Sequence, residues 1–229
     1  MNAHNPLAKM LPALAFAAML LALGAAFLYA PTESVMGDTQ RIFYFHVPAA
    51  ISAFVCFFLV FLGSAQYLRT RQTRWDRLAL CSAELGVLFG LIVLVSGPLW
   101  AKPIWGVYWR WEPRLTSMLI TFVIYVAYLM VRQHGTSTGQ APRLAAVLGI
   151  VAFANVPLVY YSVDLWAADQ QLHPQRNVGL QPEMRYALWM CFIAHFLLLT
   201  LLLLRRLDVA RAEEAVEKLR QRALAKADY

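Results

Sequence analysis

Two histidines and a tryptophan-rich stretch are the groups in this chain of 229 residues with the most chemistry to offer. The stretch runs Trp100-Ala-Lys-Pro-Ile-Trp-Gly-Val-Tyr-Trp-Arg-Trp-Glu-Pro-Arg114 and holds four of the seven tryptophans, Trp100, Trp105, Trp109 and Trp111, together with Tyr108. An aromatic belt at a membrane interface accounts for one or two such rings at a helix end. Read as a helix, the stretch puts Trp105, Tyr108, Trp109 and Glu112 on one face, at i, i+3, i+4 and i+7. That face is a flat, π-rich platform suited to a large planar apolar ligand. Lys102, Arg110 and Arg114 flank it and would meet ligand carboxylates through charge-assisted hydrogen bonds. On these residues alone, anchoring and a ligand platform both stay open.

His46 lies in Arg41-Ile-Phe-Tyr-Phe-His-Val-Pro-Ala-Ala50, where Pro48 suits the first turn of a helix, and His173 lies in Gln170-Gln-Leu-His-Pro174. A lone loop histidine is usually solvated. Two on one side of a membrane, with an aromatic platform between them in sequence, suit a metal that already carries four equatorial ligands, as haem iron does. A bare zinc ion usually takes three or four protein ligands. Only the scattered acids Glu33, Asp38, Asp164 and Asp169 are at hand, which disfavours a zinc hydrolase. His4, in a terminal tail, and His134, in an inner loop, read as solvated.

The elements that must position these groups are membrane helices. The chain is 60% hydrophobic and 14% charged, with a mean hydropathy of +0.54. A soluble domain has about 25% charged and about 45–50% apolar residues, so both disorder and an ordinary water-soluble domain are excluded. Six apolar stretches, at about 11–30, 47–68, 78–100, 115–131, 143–163 and 184–204, are each long enough for roughly 30 Å of hydrocarbon and must be helical, because lipid offers the backbone no partners. The first could be mistaken for a cleaved signal peptide, but its apolar run is longer than an h-region and Leu28 occupies a position that cleavage after Ala30 reserves for a small residue; an uncleaved helix is expected.

Fourteen of the twenty Lys and Arg residues fall with the N-terminus, the second and fourth loops and the tail, which makes that side cytoplasmic. The net charge of +7 is spent on orientation, with no patch for nucleic acid. The fold class expected is an all-α integral membrane protein. It is a six-transmembrane-helix bundle and a single membrane domain over 1–229, with both termini cytoplasmic. The tryptophan-rich outer loop 100–114 joins helices three and four, and a cytoplasmic tail spans 205–229.

That tail reads as an amphipathic helix with alternating charge, as in Glu214 and Lys218 at i, i+4: a solvated stop-transfer helix or a docking surface. Cys56, Cys81 and Cys191 lie in apolar runs without a C-x-x-C pair and read as small filler. There is no Walker motif, so no ATP hydrolysis by a P-loop is expected of this chain. Glu84 and His195 lie inside spans. Such groups are costly and point to function, unless they pair with each other or bond to a neighbouring helix. Asn155 and Pro157 suggest a kink with a helix-to-helix hydrogen bond, and Gly86 and Gly90 suggest close packing.

The run Trp105-Gly-Val-Tyr-Trp-Arg-Trp-Glu-Pro-Arg-Leu-Thr-Ser117 resembles the "WWD" signature of haem-handling membrane proteins, close to W-G-x-x-W-x-W-D with x-R-L-T-S after it in one branch. Glu112 stands where the signature usually has Asp, one methylene longer. Gln40-Arg41-Ile42, His46-Val-Pro-Ala-Ala50 and Tyr161-Ser162-Val163 leading to His173 resemble the same branch, the cytochrome c maturation protein C family (CcmC, haem exporter protein C). Six spans in 229 residues match it. The resemblance implies that haem, as haem b in transit, is held on the periplasmic side of the cytoplasmic (inner) membrane against Trp105, Tyr108, Trp109 and Trp111. It implies His46 and His173 as axial iron ligands, Glu112 and Arg114 at the same site, and haem propionates meeting Arg114, Lys102 or Arg41. It implies delivery to the haem chaperone CcmE, and work beside the ABC-transporter subunits CcmA and CcmB and the small CcmD, with ATP hydrolysed by a partner and no catalytic residue in this chain. Two other classes compete. A haem-dependent membrane redox subunit predicts two histidines on facing helices, and a haem transporter with a midplane site predicts broken helices and inner polar residues.

Overall fold

The computed structural model describes residues 6–134, 140–165 and 179–227, and the regular structure there is helical apart from one antiparallel bridge between Glu33 and Gly37. Helix α1 (Pro6–Gly24) runs on through a π-helical turn (Ala25–Tyr29). A 3-10 turn (Asp38–Ile42) leads into α2 (Phe43–Thr70), followed by α3 (Thr73–Trp105), α4 (Pro113–His134), α5 (Ala141–Phe153), α6 (Asn155–Leu165) and α7 (Pro182–Ala227). Six of these helical stretches are long and apolar enough to cross a membrane, α5 and α6 together making the fifth. Their outward faces carry large apolar side chains such as Phe16, Leu21, Val151 and Ile193, which lipid contact requires.

Most of the helices outrun the expected spans. Hydropathy marks the hydrocarbon, whereas the hydrogen-bonded ladder continues into the interface until a stop signal. The 33 residues of α3 measure about 50 Å at about 1.5 Å per residue, well beyond about 30 Å of hydrocarbon. The same effect corrects the place of Pro48: α2 starts at Phe43, so Pro48 is inside the helix and fully buried rather than in its first turn.

The centre of the bundle is a close approach of α2 and α3. A Cβ built on Gly86 would lie 2.6 Å from the Phe57 ring, and one on Gly63 would lie 2.9 Å from the Trp75 carbonyl. Phe57 cannot retreat, because its other side stacks on Tyr125 with centroids 3.9 Å apart and planes at 10°. Small residues let backbones approach where no hydrophobic effect drives helices together. Gly149 brings α5 onto Val60 and Ser64 in the same way. A second core, around Ala22, Ala26, Ala187 and Cys191, seats α1 on α7. All three cysteines are buried and unbridged.

The fifth span breaks at Ala154. Pro157 offers no N–H to the carbonyl four residues back. The Asn155 side-chain amide donates to the Ser117 carbonyl (2.9 Å) and the Thr121 hydroxyl (2.6 Å) of α4. The expected kink and the expected helix-to-helix bond are thus one feature.

Glu84 and His195 do not pair with each other. Glu84 takes both arms of Arg206 (2.6 and 3.0 Å), and Arg206 also reaches Glu213. His195 bonds within its own helix, through Nδ1 to the Cys191 carbonyl at 2.8 Å. Arg77 makes a bidentate pair with Glu214 (2.7 Å each), and Arg132 pairs with Asp76 through both oxygens. The tail is therefore the continuation of α7, one helix of 46 residues pinned to α3 by its first three turns beyond the span.

Gly86→Ala is expected to destabilise the bundle by about 1–3 kcal/mol through overpacking. Gly24→Ala, with nothing within 4 Å of the new methyl, is expected to be neutral or slightly stabilising. Thermal unfolding in detergent checks the opposite signs. In the double variant Glu84→Gln, Glu214→Gln, trypsin cleavage at Arg211, Arg220 and Arg222 should rise several-fold; an unchanged rate would mean that the ion pairs do not hold the tail.

Candidate haem-binding site

The tryptophan-rich stretch is two helix ends joined by a loop, not one helix. Gly106 takes a left-handed conformation (φ 73°, ψ −1°), its N–H capping the Lys102 carbonyl at 3.0 Å, and α3 stops at Trp105. Pro113 then occupies the first position of α4, and the Glu112 carbonyl accepts the Thr116 N–H at 3.0 Å. The i, i+3, i+4, i+7 face expected for Trp105, Tyr108, Trp109 and Glu112 consequently does not exist as a helical face. Trp-Gly and Glu-Pro were the signals, a helix stop and a helix start seven residues apart.

These residues nevertheless converge, because the loop folds back over the bundle. A pocket lies between the first turns of α2, the last third of α3, the loop, the start of α4 and α6. His46, Trp100, Trp105, Tyr108, Trp109, Arg110, Glu112 and Arg114 all line it, above an apolar floor that includes Phe54, Met118 and Val159. An apolar, aromatic concavity with a few polar groups is the usual form of a cofactor site. Trp111 stands apart: its ring is 76% exposed, sits edge-on to Trp109 at 5.7 Å and does not line the pocket. His173 lies outside the described residues.

His46 is buried against α3. Its ring lies edge-on to Trp100 at 5.8 Å, and its Nδ1 is 2.8 Å from the Ser96 hydroxyl. Ser96 in turn donates to the Ile92 carbonyl at 2.7 Å. A Cβ on Gly97 would come 3.4 Å from His46 Cε1, so glycine there keeps the space beside the imidazole open. Ser96 and Gly97 were not singled out from the sequence. The trace available was Ser-Gly-Pro98 interrupting an apolar span near its end.

The charged groups sort differently from expectation. Arg41 donates to the Ala26 and Ala30 carbonyls and to Asp38, closing the end of the first span, and is absent from the pocket wall. Lys102 donates to the Gly106 carbonyl (2.8 Å) and lies 5.2 Å over the Tyr108 ring, so it braces the loop. Arg110 and Arg114 are the cations on the pocket lining. Glu112 is 3% exposed, at the N-terminus of α4, where the helix dipole favours a carboxylate. The indole N–H groups of Trp100 and Trp109 are buried without an acceptor among the described residues. Donors so placed cost energy unless an acceptor meets them. A planar metallated macrocycle with acidic side groups matches the chemistry of the wall: rings to stack on, cations for carboxylates, and an imidazole for the metal.

The sequence model of the family described as CcmC, heme exporter protein C, matches residues 1–223. A heme exporter protein C of Paracoccus denitrificans is 32% identical over 182 residues, 77% of this chain and 75% of that protein. One of Escherichia coli strain K12 is 32% identical over 178 residues, 77% and 73% of the two chains. One of Bradyrhizobium diazoefficiens is 37% identical over 164 residues, 69% of this chain and 61% of that one.

Gly97→Leu, which builds a side chain into the pocket beside His46, is expected to weaken binding of a planar tetrapyrrole by about tenfold or more, the equivalent of 1–3 kcal/mol of overpacking. Quenching of tryptophan fluorescence in the purified protein measures it. Equal quenching in variant and wild type would remove this pocket as the binding site.

Proposed function

The chain belongs to the haem exporter protein C family, and from that premise we propose that it presents haem at the outer face of the cytoplasmic membrane and loads it onto the periplasmic chaperone CcmE. Membership implies haem delivery for cytochrome c maturation by a multi-pass membrane protein, a delivery role in a system with ABC-type partners. The observation that carries the finer reading is the pocket in which a buried imidazole, four aromatic residues of the 100–114 stretch and two arginines meet at one end of the bundle.

In this reading haem b is cargo. The rings of Trp105, Tyr108 and Trp109 stack on the porphyrin, and Arg110 and Arg114 meet the propionates. His46 supplies one axial nitrogen and His173 the other. Stacking and two imidazoles orient the macrocycle without covalent attachment, so it stays transferable. The exposed Tyr108, on the pocket lining, and Trp111, outside it, form the edge that the chaperone approaches. CcmA and CcmB supply ATP-driven steps, CcmD completes the membrane complex, and the basic tail end lies in the cytoplasm, following the charge asymmetry of the loops.

The two competing classes find less support. His195 faces the Phe45 ring at 6.3 Å, and among the described residues no second histidine stands opposite it, as a bis-histidine redox site inside the bundle would need. Glu84 and Asn155, the inner polar residues that a midplane transport site would use, are engaged by Arg206 and by Ser117 and Thr121.

His46→Ala and His173→Ala are each expected to lower haem occupancy and cytochrome c output while the protein still inserts, and Trp109→Ala to do the same. The absorption spectrum of the purified chain, wild type against each variant, is the measurement. Normal haem content in the double histidine variant would remove the ligand assignment.

A further inference from the structure

We infer that Ser96 is a positioning residue that fixes the tautomer of His46, holding the proton on Nδ1 so that the Nε2 lone pair is the one offered to iron. The inference rests on the reading of His46 as an axial ligand.

A serine hydroxyl has one hydrogen to give and lone pairs to accept with. Ser96 gives its hydrogen to the Ile92 carbonyl one turn back on α3, at 2.7 Å, and a carbonyl can only accept. Toward His46 Nδ1, 2.8 Å away, the Ser96 oxygen is left as an acceptor. Nδ1 must then carry the hydrogen. In a neutral imidazole the other nitrogen is bare, and a bare nitrogen is what a metal needs. The chain Nδ1–H to Ser96 to Ile92 thus ends on a backbone carbonyl that the helix itself holds in place. An imidazole left to itself prefers the proton on Nε2, the wrong nitrogen for this task.

Among the described residues Ser96 is the hydrogen-bond partner of that ring, which otherwise meets Trp100 edge-on, Gly97 and the pocket space, with the Arg114 charge also acting on it. Ser96 therefore occupies the place that a carboxylate or carbonyl holds behind many metal-bound histidines. A hydroxyl does this without adding a charge in an apolar span, where charge is costly. The neighbouring Gly97 has a matching role, leaving the approach to the imidazole clear.

The test begins without haem. In the purified full chain, with 15N-labelled histidine in detergent micelles, the His46 ring nitrogens are expected to show Nδ1 protonated and Nε2 bare in the wild type. In Ser96→Ala the signal should move toward the Nε2–H form, and in Ser96→Thr, whose hydroxyl can also bond the carbonyl one turn back, it should return. Haem titration of the same proteins should show affinity lowered about 10–100-fold in Ser96→Ala, with a shifted Soret band, and largely restored in Ser96→Thr. Circular dichroism serves as the control for folding, and Ser96→Cys, close in shape but a weak acceptor, replaces the alanine variant should that one fail to insert. An Nδ1–H signal and haem spectrum in Ser96→Ala identical to wild type would overturn the inference. If instead the tautomer moves as expected while His46→Ala binds haem with an unaltered spectrum, the ligand reading fails and the Ser96–His46 hydrogen bond stands on its own.

Discussion

The seam of small residues along α3 is the contact on which the rest depends. Gly86, Gly90 and Gly97 follow at spacings of four and seven, so they share one face of the helix. Gly86 lets the Phe57 ring of α2 touch the α3 backbone, Gly90 makes room for Phe122 and Met118 of α4, and Gly97 meets the imidazole of His46. In lipid there is no hydrophobic force between helices, so van der Waals fit and a few hydrogen bonds decide which faces meet. The seam supplies the fit at two points of the α2–α3 contact, and its last glycine lies beside the one histidine among the described residues that reaches the pocket. Position of the imidazole is thus a consequence of helix packing rather than of a loop.

The two ends of the bundle are built on opposite terms. At the tail end, ion pairs tie elements together: Asp76 with Arg132, Arg77 with Glu214, Glu84 with Arg206. Each joins α3 to a different partner helix or to the tail, and each is bidentate, the geometry in which such pairs contribute most. At the tryptophan end, charge is used sparingly for structure. Arg41 closes the first span, Lys102 braces the loop, and Arg110 and Arg114 stay on the pocket lining. A rigid charged end and an aromatic, partly open end suit a protein that is anchored on one side and exchanges a ligand on the other.

Much of this was legible in the residues. All six spans were, because about 20 apolar residues in a row have no other stable use and lipid forces them into helices. Asn155 with Pro157 announced both the break and the bond across it, since a polar amide inside a span must find a partner. Gly86 and Gly90 announced close packing. Other readings failed for identifiable reasons. The platform of Trp105, Tyr108, Trp109 and Glu112 assumes one continuous helix, yet Gly106 and Pro113 end one helix and begin another within it. For Glu84 the alternative of a bond to a neighbouring helix holds, but its partner, Arg206, lies 122 positions away and only the docking of α7 brings them together.

The sequence by itself determined the class of protein, the number of spans and the group of residues with haem chemistry to offer, because hydropathy, charge asymmetry and residue type are local properties that the bilayer reads directly. Tertiary structure alone decided which of those residues share a wall. It placed Trp109 and Arg110 on the pocket and Trp111 outside it, turned Arg41 and Lys102 to structural bonds, and set Ser96 behind His46, fifty residues away. Proximity of that kind depends on how helices pack, and packing is settled by the shape of whole faces, which no single stretch of sequence contains.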